Sequence, residues 1–494
     1  MTNYTKKAVR GATAIFMMGI LSSFLAYLIR ITVARNLSPA GYGLFYAVLT
    51  LILFCLIFKD VGLTKALIKF IAEYAHQKNY SKIKTLILSS FLFQLLFSSL
   101  LFFIFYFLSD FLAVNYFKSD TASIVLKILA LYLFSSLVFT NVRAILRGFQ
   151  ELNWFALTNP VRDFLTLSLI LLFFYLGLDI FSPVFGYIAG LIIGFLIFLI
   201  PLSKYAFILK YKIKDFWNTT KQLFMFGVPV IFTEMGDKVI AYIDILILTY
   251  FVSLTSVGIY NVILPTAIMF LFIGRSVAAV LLPMISELWS KKDKIRISEG
   301  LRLIYKYSFI LTIPPLFAVF VFSDVFIRLF FGGEYVAGLL AFKILLVGAL
   351  CYIIAQINNA SLAGIGRPKE TTKVIFTVAA VNLGLNLLLI PYFQLEGAAT
   401  ATAVSYIVAL IISTSKLHKF VKTKPPWKNW LKIAFAGIVF VLVIYFIKAL
   451  LVMNMWLELV ISLSSAGIIY LLLLFILNLV DTKELKMLIK RIIH

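Results

Sequence analysis

Eleven ionisable residues interrupt stretches that are otherwise apolar: Arg30, Lys59, Asp60, Lys127, Arg162, Asp163, Glu234, Asp237, Asp244, Arg275 and Lys343. A charge in hydrocarbon needs a partner, a polar cavity or a route to the interface, so each of these positions calls for an explanation. Arginine presents a fork that matches phosphate oxygens and lysine adds a point charge. A cavity lined by Arg30, Lys59, Lys127, Arg275 and Lys343, with Asp60 beside Lys59, therefore suits a phosphate or pyrophosphate headgroup. A plainer reading stands beside this one. Arg30, Lys127 and Lys343 lie near the ends of their runs, from which long side chains snorkel to the headgroups, and Arg162-Asp163 reads as a local pair. Arg275 has long apolar runs on both sides and is the hardest to explain by snorkelling.

A second group of residues offers oxygen. Glu234 and Asp237 lie one turn apart, Asn382 and Asn386 are at i and i+4, and Thr400 and Thr402 follow on the next run. Oxygen ligands from three helices can hold a small cation, with sodium or a proton as the coupling ion. The alternative is that the asparagines only bond neighbouring helices. No bound cofactor is expected, and no metal beyond that cation.

These residues are carried by a chain of 494 residues, 62% hydrophobic and 13% charged, with a mean hydropathy of +1.03. Such a composition cannot be hidden in a water-soluble core, so the expected class is an all-α polytopic membrane protein. A window of about 19 residues resolves about fourteen apolar runs. Those used below are 11–35, 42–71, 122–146, 257–288, 372–391, 397–416, 431–450 and 456–479. The net charge of +24 does not indicate nucleic acid, because the lysines and arginines sit in short loops between runs and not on one folded face. They gather in alternate loops, such as Lys78–Lys84, Lys204–Lys214 and Lys291–Arg296, which places both termini in the cytoplasm of a cell-membrane protein. The first run follows Lys6, Lys7 and Arg10 and lacks a small-residue cleavage site, so it is expected to be retained. Cys55 and Cys351 lie inside separate runs and give no disulfide framework.

The chain also repeats itself. Gly43-Leu44-Phe45 is echoed by Gly258-Ile259-Tyr260, Ile71-Ala72-Glu73 by Ile285-Ser286-Glu287, and Leu146-Arg147-Gly148-Phe149 by Leu362-Ala363-Gly364-Ile365, about 215 residues apart and in the same order. The expected organisation is a six-helix N-lobe (1–203), a cytoplasmic linker (204–221) and a six-helix C-lobe (222–418). The lobes are related by a pseudo-two-fold along the membrane normal. Residues 419–494 hold two further helices and an amphipathic tail from Asp481. Aligning the repeats brings Arg30 within one residue of Asp244, and opposite charges at equivalent positions suggest an outer gate formed by that pair.

Several motifs resemble the oligosaccharide flippases of the multidrug/oligosaccharidyl-lipid/polysaccharide exporter superfamily. They are Ala34–Pro39 followed by Gly41–Phe45, Asp60–Leu63 followed by Ala66–Phe70, Phe226–Pro229, Leu282–Ser286, Gly364–Arg367, and Asn386–Pro391 with Glu396–Thr402. The resemblance implies two lobes around a cavity that opens alternately to each side. It also implies a cargo, an oligosaccharide on a polyprenyl (pyro)phosphate moved from the cytoplasmic to the outer leaflet, with membrane lipids and polysaccharide-assembly proteins as partners. The ion set resembles the sodium site of lipid II flippases, with Asn386 standing where a carboxylate is expected. A cation-coupled multidrug exporter of the same superfamily is the alternative, disfavoured because Arg30, and no acid, sits in the first run. A membrane glycosyltransferase or ligase is disfavoured further: the outward loops are short, and His76, His418 and His494 lie in cytoplasmic segments.

Overall fold

The computed structural model describes residues 3–423, 425–450 and 454–480. The amphipathic tail expected from Asp481 lies outside the described residues. Among those residues there are helices and no strands. The first five are α1 (Asn3–Asn36), α2 (Pro39–Asp60), α3 (Leu63–His76), α4 (Tyr80–Leu112) and α5 (Thr121–Leu129). Then come α6 (Tyr132–Gly148), α7 (Leu152–Tyr175), α8 (Phe181–Leu202), α9 (Phe216–Phe251), α10 (Leu254–Ile268) and α11 (Leu271–Ser290). The remainder are α12 (Lys294–Val321), α13 (Ser323–Phe330), α14 (Leu339–Gly364), α15 (Pro368–Val421), α16 (Trp427–Leu450) and α17 (Met455–Ile476).

Among the described residues, 12 helical segments are long and apolar enough to cross a membrane, so this is a multi-pass membrane protein. The long α15 bends at Gln394, whose φ of 46° departs from helical geometry, and so contains the two crossings expected at 372–391 and 397–416. α9 is 36 residues long but interrupts its apolar run with Glu234, Asp237, Lys238 and Asp244. With these two the crossings number about fourteen, as the hydropathy reading expects.

Three expected single helices are divided. The run 42–71 is α2 and α3, parted at Val61 and Gly62, both left-handed with φ of 46° and 71°. The run 122–146 is α5 and α6, and 257–288 is α10 and α11. Hydropathy averages over a window and does not register a two-residue reversal of backbone hand.

The chain forms two compact units. The first gathers the residues up to Val262 with Phe330–Tyr335 and Asn386–Leu395, and the second holds Ile263–Leu329, Val336–Leu385 and the chain from Glu396 onward. Within the first, α3 is amphipathic: Leu63, Ala66, Leu67, Ile71 and Tyr74 are buried at helical spacing, while Lys65 and Lys69 occupy the other side. The buried stripe packs with Ile83 and Leu86 of α4, Ala144 and Ile145 of α6, and Leu223 of α9.

The start of α2 is set by sequence. Pro39 takes the first helical position, where a missing N–H costs nothing, and the Ser38 hydroxyl caps Gly41 N at 3.2 Å. One turn later Gly43 meets α10. A Cβ at Gly43 would lie 1.9 Å from Leu254 O, and one at Gly258 would lie 2.0 Å from Pro39 O. These two glycines are the equivalent positions of the sequence repeat. The expected result of Gly43→Ala is therefore a clear loss of thermal stability in detergent, since a backbone carbonyl cannot yield as a side chain can. Gly19→Ala, with nothing within 4 Å of its Cβ position, serves as the unchanged control.

Candidate functional site: buried charges in the membrane helices

In the first unit the polar groups near the start of α2 form one assembly. Arg30 of α1 donates through Nη1 to Asn261 O at 3.0 Å, and its guanidinium carbon lies 4.6 Å from the centre of the Tyr46 ring. Among the described residues it pairs with no carboxylate. Tyr42 and Tyr46, one turn apart on α2 with ring centres 4.5 Å apart, are buried, and among the described residues neither hydroxyl makes a well-formed hydrogen bond. Tyr335 closes the group from another segment of the same unit: its ring meets Tyr42 edge-on at 5.9 Å and its hydroxyl donates to Ala34 O at 3.3 Å.

The Arg30–Asp244 pair expected from the repeat is not formed. Asp244 is buried and accepts from Tyr260 Oη at 2.9 Å and from Asn386 Nδ2 at 2.6 Å. Adjacent residues of α10 thus stand between the two charges, Asn261 taking Arg30 and Tyr260 taking Asp244. A one-residue offset in the repeat alignment turns a helical side chain by about 100°, which is enough to substitute this relay for direct contact.

The next group surrounds the break between α2 and α3. Lys59 and Asp60 are adjacent in sequence but turn to different neighbours. Lys59 is 3% exposed and donates to Ser136 Oγ of α6 at 3.0 Å. Asp60 accepts from Thr64 N at 3.2 Å, from the Thr64 hydroxyl and from Gln94 Nε2 at 3.1 Å. Gln94 in turn accepts from Asn141 Nδ2 at 2.8 Å. The break itself rests on backbone contact, since a Cβ at Gly62 would lie 2.3 Å from Gly227 O.

Other expected site residues are held separately. Lys65 and Glu234 form an ion pair at 2.6 Å, so this carboxylate of the expected cation set already has a cation. Lys127 pairs with Asp110 at 3.1 Å, and Arg162 with Asp163, which also receives the Ser22 hydroxyl of α1. Asp237 is on α9, one turn beyond Glu234.

In the second unit Asn382 Nδ2 reaches Thr402 Oγ1 at 3.3 Å, and both residues are buried, whereas Thr400 is half-buried. Lys343 lies 5.4 Å from the centre of the Phe320 ring. Arg275 is exposed on α11 and makes no hydrogen bond or ion pair among the described residues. No group of three or more His, Cys, Asp or Glu suited to a metal occurs among the described residues.

Tyr42, Tyr46, Gln94, Asn141, Tyr260 and Asn261 were not expected from the sequence as site residues. All are polar residues in apolar helices, a weaker signal than charge but of the same kind. Arg143 of α6 donates to Thr158 Oγ1 at 3.0 Å and lies 5.3 Å from the Phe155 ring centre.

Residues 8–289 match the family described as polysaccharide biosynthesis protein, and the chain belongs to that family. It is 30% identical to an uncharacterised membrane protein of Methanocaldococcus jannaschii, MJ1068, over 99% of each chain. It is 23% identical to the probable low-salt glycan biosynthesis flippase Agl15 of Haloferax volcanii, over 93% of this chain and 94% of that one. Its fold matches the solved structure of the lipid II flippase MurJ in an inward closed conformation, with a TM-score of 0.76 at 19% identity, covering 95% of this chain and 98% of that one.

Because Tyr260 and Asn261 separate the two charges, reversing both should not restore what reversing either removes. The Arg30→Asp, Asp244→Arg double variant is expected to be no more stable or active than the worse single variant. Recovery in a double-mutant cycle would instead require direct contact in another conformation.

Proposed function

We propose that this protein is a flippase that moves an oligosaccharide linked to a polyprenyl (pyro)phosphate from the cytoplasmic to the outer leaflet by alternating access. The reading places two six-helix lobes, 1–203 and 222–418, around a basic cavity, with both termini in the cytoplasm. The observation that carries it is Arg30: a membrane-helix guanidinium that pairs with no carboxylate among the described residues, beside two buried tyrosine hydroxyls with no well-formed hydrogen bond among them. A phosphate oxygen would accept from the remaining guanidinium N–H groups and from the hydroxyls, which satisfies donors that are otherwise costly to leave unpaired. Lys59 and Arg275 would add charge along the path, with Lys127 and Lys343 toward its outward end. Membership of a polysaccharide-biosynthesis family and sequence likeness to a protein named as a probable glycan biosynthesis flippase support the same cargo class. Polysaccharide-assembly proteins would receive the product.

The test is transport of a defined lipid-linked oligosaccharide by the full-length protein in proteoliposomes. Arg30→Ala should lower flipping at least about tenfold, the scale of one lost charge-assisted hydrogen bond, while Arg30→Lys recovers part of it. Full activity of Arg30→Ala in a correctly folded protein would remove this site from the cargo path.

We further propose that a cation, sodium or a proton, drives the cycle through oxygen donors among Glu234, Asp237, Asn382, Asn386, Thr400 and Thr402. Asp244 joins this set as the carboxylate bonded to Asn386. Sodium binding to the folded protein would raise its melting temperature by linkage, and Asp244→Asn should abolish that rise. A melting curve of the unmutated protein that does not move with sodium would leave the proton as the coupling ion.

A further inference from the structure

The first unit carries an apolar chamber of about 500 Å³, partly open to its surroundings, that the transport reading does not use. Its walls are Leu88 and Phe91 of α4, Val142 and Ile145 of α6, and Phe195 and Leu199 of α8, and its floor is the 3-10 segment Ser203–Lys210. Its inner wall includes Asn141, whose Nδ2 is spent on Gln94 Oε1. Water finds few partners against such walls, and side chains that line unfilled space forfeit dispersion contacts that a hydrocarbon chain would supply.

The floor carries a second signal. Lys84 holds it in place by donating through Nζ to Leu209 O at 2.7 Å and Tyr211 O at 2.8 Å, and Lys204 is paired with Glu151 at 2.7 Å. Beyond it the residues alternate, with Leu209, Tyr211 and Ile213 exposed between Lys210, Lys212 and Lys214. None of these three lysine side chains has a hydrogen bond or ion pair among the described residues. Exposed apolar side chains interleaved with free ammonium groups belong at the boundary between hydrocarbon and headgroups.

We infer that the chamber is a binding site for an anionic membrane phospholipid. One hydrocarbon chain fills the space between α4, α6 and α8, and the phosphate lies against Lys210, Lys212 and Lys214. The chamber supplies shape for a chain, and the lysines supply the preference for negative charge. The lipid is a resident of the first unit and not the transported cargo.

Native mass spectrometry of the full-length protein, exchanged into detergent with equal phosphatidylglycerol and phosphatidylcholine, tests this. The unmutated protein should retain phosphatidylglycerol roughly tenfold over phosphatidylcholine, as three lysines near an anionic headgroup allow. Lys210→Gln, Lys212→Gln and Lys214→Gln together should bring the two lipids to parity. These residues are exposed, so the triple variant is not expected to disturb folding. Ala206→Phe and Val142→Phe, which fill the chamber while leaving Asn141 intact, should each lose the lipid whatever its headgroup, with melting curves confirming that the protein is folded. Unchanged retention in the folded chamber variants would overturn the site, as would equal retention of both lipids by the unmutated protein. Displacement of phosphatidylglycerol by an equal amount of polyprenyl phosphate would assign the chamber to cargo and overturn the resident lipid.

Discussion

A polar group inside a bilayer has no water to fall back on, and most of the architecture of the first unit follows from that. Among the described residues, charges in its membrane helices make hydrogen bonds with other helices. Asp163 on α7 takes the Ser22 hydroxyl of α1, Asp60 takes Gln94 of α4, Lys59 takes Ser136 of α6, and Asp244 on α9 takes Tyr260 of α10 and Asn386. In hydrocarbon, apolar side chains gain little by leaving lipid for one another, so van der Waals fit and interhelical hydrogen bonds decide which helices stay together. These charges fix register. A slip of one residue would turn a carboxylate by about 100° and leave it buried without a donor.

The backbone obeys the same constraint. Where α2 gives way to α3, Val61 N still reaches Ile57 O at 3.1 Å and Ala66 N reaches Gly62 O at 3.2 Å, so each helix end is satisfied across the two left-handed residues. The reversal brings the bare backbone of Gly62 onto Gly227, two residues before Pro229 within α9. Any side chain at Gly62 would push these backbones apart. A broken helix in a membrane is tolerated where neighbouring protein covers it, and here glycine against glycine provides the cover.

How much of this could be read from the sequence depends on how local the determinant is. The apolar runs are local, and the helices follow them, although three runs are divided into two helices each. The cap at Ser38 and Pro39 is local as well, and so is the echo of Gly43 in Gly258, two residues that prove to touch. The break at Val61 was hidden because valine gives no hint of a left-handed backbone, although Gly62 beside it does. The choice of partners was the least legible. Lys59 and Asp60 look like a pair on paper, but consecutive side chains on a helix point about 100° apart, so each is free to find its own neighbour. Arg30 and Asp244 failed to pair for a related reason: Tyr260 and Asn261, neither charged, reached them first.

Partner chemistry also divides the cations in the first unit. Lys65 with Glu234, Lys127 with Asp110 and Arg162 with Asp163 are neutralised by carboxylates, and an arriving anion would have to displace a full charge to reach them. Arg30, Lys59 and Arg143 are held differently, by a backbone carbonyl and a tyrosine ring, by a serine, and by a threonine and a phenylalanine ring. Neutral acceptors keep a cation satisfied enough to remain in the membrane but bind it less strongly than an anionic oxygen does. A phosphate can therefore replace them at a gain, and on leaving it returns each cation to a tolerable state. A transporter must release what it binds, and carboxylate-locked cations are poorly suited to that cycle. On the proposed flippase reading, the ion pairs would hold the helices, and contact with an anionic cargo would fall to the residues whose partners are neutral.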